Sequence, residues 1–247
     1  MKRLSVAIAF CCVAALAAVP QPPAVKKLEN LGFLTGAKAP GDTLRQGGVG
    51  GTDLGFPAYS EKWGKMFLFF GDTFKRPETY SAPKVWLVAS GEGEAFTADG
   101  REWSLKAGDA FTIVTGTPIG VRSKGGLVYT EIEFGKETKM NKILEAGRAF
   151  ALKDILPYAE GRIVNMDLAS GPNMKFVLMS FDAGTGLSEH SAPGDALIFA
   201  LDGEATIGYE GAEHVIKAGE NFKFAKNGRH WVKANGRFKM ALLLVID

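Results

Sequence analysis

The strongest constraint on how this chain folds is that it repeats itself. Asp99–Phe111 reads DGREWSLKAGDAF and Glu210–Phe222 reads EGAEHVIKAGENF. Upstream, SAPKVWLVASGEGE (Ser81–Glu94) matches SAPGDALIFALDGE (Ser191–Glu204), with two residues fewer in the first copy. Further upstream, KMFLFFGDTF (Lys65–Phe74) runs parallel to MKFVLMSFDA (Met174–Ala183). Two copies in one order, about 110 residues apart, imply two similar domains rather than a solenoid. Within each copy the apolar runs are short and punctuated by turn residues every 8–12 positions, the pattern of an all-β sandwich or barrel. The 31 glycines suit many tight turns. One stretch breaks the pattern. Met140, Ile143 and Leu144 fall at helical spacing, which predicts a short helical linker between the copies.

The first 20 residues stand apart. Lys2 and Arg3 precede an apolar run, Leu4–Ala18, that ends in small residues before Pro20. This is a secretory signal layout, with cleavage expected just after Ala17 or Ala18 and export to the periplasm or the outside of the cell. The run is short for a membrane span, which takes about 20 apolar residues; a retained anchor is the alternative. Both cysteines, Cys11 and Cys12, lie inside it, so the mature chain would have neither disulfide nor thiol chemistry. Net charge is +2, with Lys and Arg scattered, which gives no case for a nucleic-acid partner. No phosphate-cradling loop or nucleophile motif is present.

The second copy carries ALKDILPYAEGRIVNMDL, FDAGTGLSEHSAPGDALIFALDGEATI, IKAGENFKFAKNGRHWVKA and FKMALLLVI, in that order. Together they resemble the cupins, in particular small bacterial cupins of the conserved-barrel type. The first copy resembles them more loosely over 65–134, so the chain looks like a bicupin. The resemblance implies an all-β fold of two tandem jelly-roll (double-stranded β-helix) barrels, the first degenerate, each built around a ligand pocket. The expected boundaries are 1–20 signal peptide, 21–64 leader and Gly-rich loop, 65–135 degenerate barrel, 136–148 linker and 149–247 second barrel. A shorter resemblance, over Gly48–Phe74, is to the opening of secreted β-propeller proteins linked to carbohydrate breakdown. The blades that would follow are missing, so the stretch is expected to supply first strands of the first barrel.

The family's first motif, G-x5-H-x-H-x3/4-E-x6-G, begins here at Gly184 and ends at Gly203. Its first histidine is His190, but Ala192 stands at the second and Ala196 at the glutamate. The second motif, G-x5-P-x-G-x2-H, begins at Gly219 and places His230, with Ala225 and Asn227 replacing Pro and Gly. Positions 190, 192 and 196 share parity and so face one side of a strand, toward the barrel interior. Two imidazoles are too few for a normal divalent site. Asp195 is the candidate third ligand but has the wrong parity unless a bulge re-aims it. Glu189 has the same problem, although it could hang over the mouth. His214 is expected on a solvated hairpin. In the first copy, Tyr80 is expected in the place of His190 and Ile119 in that of His230, with Trp86 and Trp103 as core or interface aromatics.

The leading expectation is an exported bicupin that binds a small polar metabolite or saccharide at His190, His230, Glu189, Ala192 and Ala196, with no cofactor required. The alternative is a metal-dependent enzyme (dioxygenase, isomerase or decarboxylase) in which His190 and His230, with Asp195, hold Fe, Mn, Ni or Zn. A third possibility is an assembly protein. The strands Ala196–Leu201 and Ala241–Val245 are apolar on both faces and need a cover, from the other barrel or from a second subunit in a homodimer.

Overall fold

The computed structural model describes residues 56–61, 64–69 and 73–246, so the signal segment, most of the leader and the start of the β-propeller resemblance lie outside the described residues. The first sheet contains β1 (Phe56–Glu61), β2 (Gly64–Phe69), β3 (Thr73–Thr79), β4 (Lys84–Thr97), β5 (Glu102–Lys106), β6 (Asp109–Thr112), β7 (Pro118–Ser123) and β8 (Leu127–Glu133). Two short strands follow, β9 (Lys139–Met140) and β10 (Ala149–Ala151), and then the 3-10 turn Leu152–Asp154. The second sheet is formed by β11 (Ile163–Gly171), β12 (Met174–Phe181), β13 (Gly186–Ser191), β14 (Gly194–Tyr209), β15 (Ala212–Lys217), β16 (Asn221–Phe224) and β17 (Arg229–Ile246). All pairings are antiparallel, and the two sheets form tandem jelly-roll barrels. β1 and β2 extend the first sheet through β8, so the end of the propeller-like stretch serves the first barrel.

Strand parity explains how the barrels meet. On β4, Trp86 and Val88 lie in the first barrel's own core, while Val85 and Leu87 belong to a separate cluster. On β14, Ala196, Ile198 and Ala200 fill the second barrel, and Leu197 and Phe199 join that same separate cluster. β17 repeats the division, with Phe238 and Met240 inside and Ala241, Leu243 and Val245 outside. The outside faces of the two barrels therefore pack on each other, and the Phe134 and Phe176 rings meet there at 6.1 Å. The cover that the doubly apolar strands require is the neighbouring barrel.

The expected helical linker is not formed. Asn141 Oδ1 accepts the Ile143 N–H (3.1 Å) and the Asn141 carbonyl accepts that of Leu144 (3.0 Å), which closes a turn instead. A helix this short would be marginal in water. Each apolar residue finds burial elsewhere: β9 adds Met140 to β11, and Leu144 is buried between the barrels. The connection also weaves, because β9 pairs into the second sheet and β10 returns to β6 of the first.

Register defines which residues of the two copies correspond. Trp86 lies opposite Phe111, and Ile198 lies opposite Phe222. Gly91 and Gly203 are equivalent, and each has φ above +70°. A Cβ at either position would come within about 2 Å of a carbonyl oxygen on the neighbouring strand, Gly126 or Arg237, which excludes other residues there.

Replacing Leu243 by Ala should cost about 2–5 kcal/mol in urea unfolding, because it opens a cavity in the layer between the barrels. Val215→Ala, at a residue 56% exposed, should change stability by less than about 0.5 kcal/mol. Equal effects would mean that the layer does not hold the barrels together.

Candidate functional site

β13 and β17 place His190 and His230 directly opposite each other, with ring centroids 4.3 Å apart. Both rings are oriented in the same local way. His190 Nδ1 donates to the Ser188 carbonyl and His230 Nδ1 to the Gly228 carbonyl, each at 2.8 Å. A carbonyl only accepts, so Nδ1 carries the proton in each neutral ring and Nε2 presents a lone pair. His230 is buried, 5% exposed, whereas His190 is open to solvent. Burial lowers the His230 pKa and the His190 ring lowers it further, while the Gly228 hydrogen bond offsets this only in part.

The wall behind the pair is aromatic. Phe224 stacks on His230 at 3.9 Å with 15° between planes. Tyr209 lies 5.5 Å from Phe224 and 5.9 Å from Phe222. His214 is on β15 beyond the Glu210–Gly211 turn, half-buried, its ring 5.1 Å from Phe222. Alternation along β16 aims Phe222 and Phe224 inward together. The FKF pattern was the sequence signal for this wall, although no motif reading singles it out.

Ala196 is buried opposite Phe224 in one cluster, so the ring takes up space beside the position where the family motif has a glutamate. Ala192 is half-buried, and its carbonyl accepts the Asn227 N–H (2.9 Å). Asn227 itself adopts φ +64°, which keeps the turn that the family makes with glycine. The turns of the motif are kept, whereas two of its four ligand positions hold alanine.

The two acids considered as ligands are engaged elsewhere. Asp195 accepts the Lys226 N–H (2.8 Å) and pairs with Lys223 Nζ (3.2 Å). Glu189 is hydrogen-bonded to Arg229 across the strands, at the exposed rim. Among the described residues no group of three or more His, Cys, Asp or Glu side chains is placed to hold a metal ion. The donor set does not fit the family's four-ligand centre.

The first barrel fills the corresponding positions differently from what the sequence alignment suggests. Glu78 lies opposite Ile119 as His190 lies opposite His230, so Glu78 takes the place of His190 and Tyr80 that of Ala192. Lys84, at the start of β4, corresponds to Ala196. The SAP triplets are therefore two residues out of step: Ser191 ends β13, paired with Arg229, whereas Ser81 lies beyond the end of β3. Lys84 Nζ lies 2.7 Å from Glu131 Oε1 and 2.9 Å from Glu133 Oε2, and Trp86 Nε1 donates to Glu131 Oε2 (2.9 Å). Burial alone would lower the Lys84 pKa, but the bonds to Glu131 and Glu133 outweigh it and raise it. Burial and the Glu131 and Glu78 carboxylates push the Tyr80 phenol far up.

Comparison with known proteins now has a geometry to attach to. A family profile described as a cupin domain matches residues 177–246. The solved "Cupin 2 conserved barrel domain protein" of Leptotrichia buccalis is 28% identical, covers 80% of this chain and 91% of its own, and superposes with a TM-score of 0.64. Residues 177–246 carry a cupin domain, and the chain resembles a solved cupin barrel protein over most of its length. Among more distant solved structures, salicylate 1,2-dioxygenase of Pseudaminobacter salicylatoxidans is 13% identical over 76% of this chain and 72% of its own, TM-score 0.53. The putative glyoxylate-induced protein of Pseudomonas aeruginosa is 15% identical over 78% of both chains, TM-score 0.51. At these identities the cupin likeness is one of fold alone. No curated protein matches the sequence.

The depressed His230 pKa makes a pH prediction. The folded state resists protonating this ring, so the unfolded state binds more protons as the pH falls below about 6.5. Stability should therefore fall on acidification from about pH 6.5 and level off below the folded-state pKa. Melting temperatures between pH 7.5 and 5 should show a shallower decline in His230→Asn. An unchanged slope would mean that His230 is not held neutral.

Proposed function

We propose that this protein is an exported bicupin whose second barrel binds a small polar metabolite or saccharide without a resident metal. The observation that carries this reading is the imidazole pair, fixed through Nδ1 so that both Nε2 atoms accept hydrogen bonds, beside an aromatic wall. Hydroxyl groups suit such acceptors, and the apolar face of a sugar ring suits the half-buried Tyr209, while the buried Phe224 backs His230. Glu189 and Arg229 add polar groups at the rim, where they would orient a ligand entering the mouth. Export rests on the signal layout of residues 1–20.

The close approach of the two imidazoles also supports a second reading, a metal-dependent cupin enzyme in which His190 and His230 hold the ion and water or substrate completes the site. The disengagement required of Asp195 or Glu189 counts against it, since each would have to leave a cationic partner.

Thermal-shift measurements against monosaccharides, disaccharides and polyols should find a stabilising compound. His190→Ala should weaken it roughly three- to tenfold, the worth of one hydrogen bond of about 0.5–1.5 kcal/mol. Protein purified without added metal should contain well under one equivalent of Fe, Mn, Ni, Cu or Zn. Near-stoichiometric metal that disappears in His190→Ala would overturn the metal-free reading and favour the enzyme.

A further inference from the structure

A cavity of about 200 Å³ lies between the barrels, where the two KAG turns of the repeat face each other. The apolar residues of its walls come in corresponding pairs, Leu87 and Ala89 of β4 with Phe199 and Leu201 of β14. The turns Ala107–Gly108 and Ala218–Gly219 form its sides, and Leu152 and Lys153 of the 3-10 turn lie over it. Val88 and Ala200, which belong to the two barrel cores, also border the space, and it shares no lining residue with the histidine pair.

The cavity departs from this symmetry at its polar groups, Asp109, Asn221 and Lys153. Asp109 and Glu220 hold equivalent places after their turns, and each accepts the backbone N–H three residues earlier, at 3.0 and 2.8 Å. Glu220 is half-buried and does not line the cavity. Asp109 does line it and is only 6% exposed, because β10 pairs over it, Ala151 against Asp109. The bond from Lys106 leaves most acceptor positions of this carboxylate unfilled by the described residues. Burial raises its pKa despite that bond, which shows how poorly the site solvates the charge. Lys153 and Asn221 are the other polar residues of the lining, and the Asp109 carboxylate can accept from a ligand that carries a donor.

Volume decides the size of that partner. An apolar cavity of about 150 Å³ is enough to take up benzene. We propose that the inter-barrel cavity is a second ligand site, for a compact apolar molecule carrying one O–H or N–H donor directed at Asp109. It is independent of the site at His190 and His230.

Phenol is the probe, titrated by calorimetry into the full chain, with benzene as the comparison lacking a donor. Phenol should bind saturably at one site per chain and several-fold more tightly than benzene. Ala89→Phe, which fills the chamber, should reduce phenol affinity at least tenfold. Ala107→Phe, from the exposed rim, serves the same purpose if the first variant does not fold. His190→Ala should leave phenol binding unchanged. The proposal is overturned if phenol shows no saturable binding, if it binds no better than benzene, or if binding survives the filling substitution. Loss of phenol binding in His190→Ala would also overturn it, by placing the probe at the imidazoles. None of these outcomes depends on whether the second barrel binds a saccharide.

Discussion

The apolar layer between the barrels sets the geometry of everything else. Strands β4, β14 and β17 each divide their side chains between a barrel interior and this layer, and a slip of one residue would exchange the two sets. Leu197, Phe199 and Leu243 would then enter the barrel, and Ile198, Ala200 and Met240 would face its neighbour. Because both faces are apolar, hydrophobicity alone does not select the register; the fit of large and small residues on each face does. Ala196 and Ala200 lie inside, where Phe224 and the other rings need room, and Phe199 lies outside, against the partner barrel. The same packing fixes His230, since β17 is the strand that carries both the layer and the imidazole.

Seen this way, the two barrels have solved one problem in opposite ways. Each barrel has to fill the interior space where the family motif places its ligands. The first barrel fills it with charge: Lys84, Glu131 and the Trp86 indole satisfy one another, at a desolvation cost that good geometry offsets. Removing one member would strand the other in a dry interior. The second barrel fills it with methyl groups and a phenylalanine and holds two imidazoles. A self-satisfied ion cluster offers little to a ligand, whereas imidazoles with free Nε2 atoms do, which is why the second barrel carries the proposed site.

Much of this was legible in the sequence, for identifiable reasons. The KAG turns marked true equivalence because their glycines hold backbone conformations other residues avoid, with φ +89° at Gly108 and +84° at Gly219. The SAP triplets carried no such constraint, and aligning them displaced Tyr80 by two positions and hid Glu78. His190 and His230 could be placed from motif spacing, and their approach follows from strand pairing. Phe224, Tyr209 and Asp109 were harder to see, because an aromatic in alternation reads first as core and an aspartate after a turn reads first as a turn residue. The 140–144 segment misled because three apolar residues at helical spacing fit a turn that plugs an interface equally well.

Nitrogen-15 NMR of the imidazoles tests the central claim most directly, and the chain has just three histidines to assign. At pH 8 the account predicts that the His190 and His230 rings carry the proton on Nδ1, and that treatment with a metal chelator leaves their shifts unchanged. Nε2 resonances that move on chelation would contradict it, because they would show that the lone pairs assigned to a polar ligand were holding a metal ion.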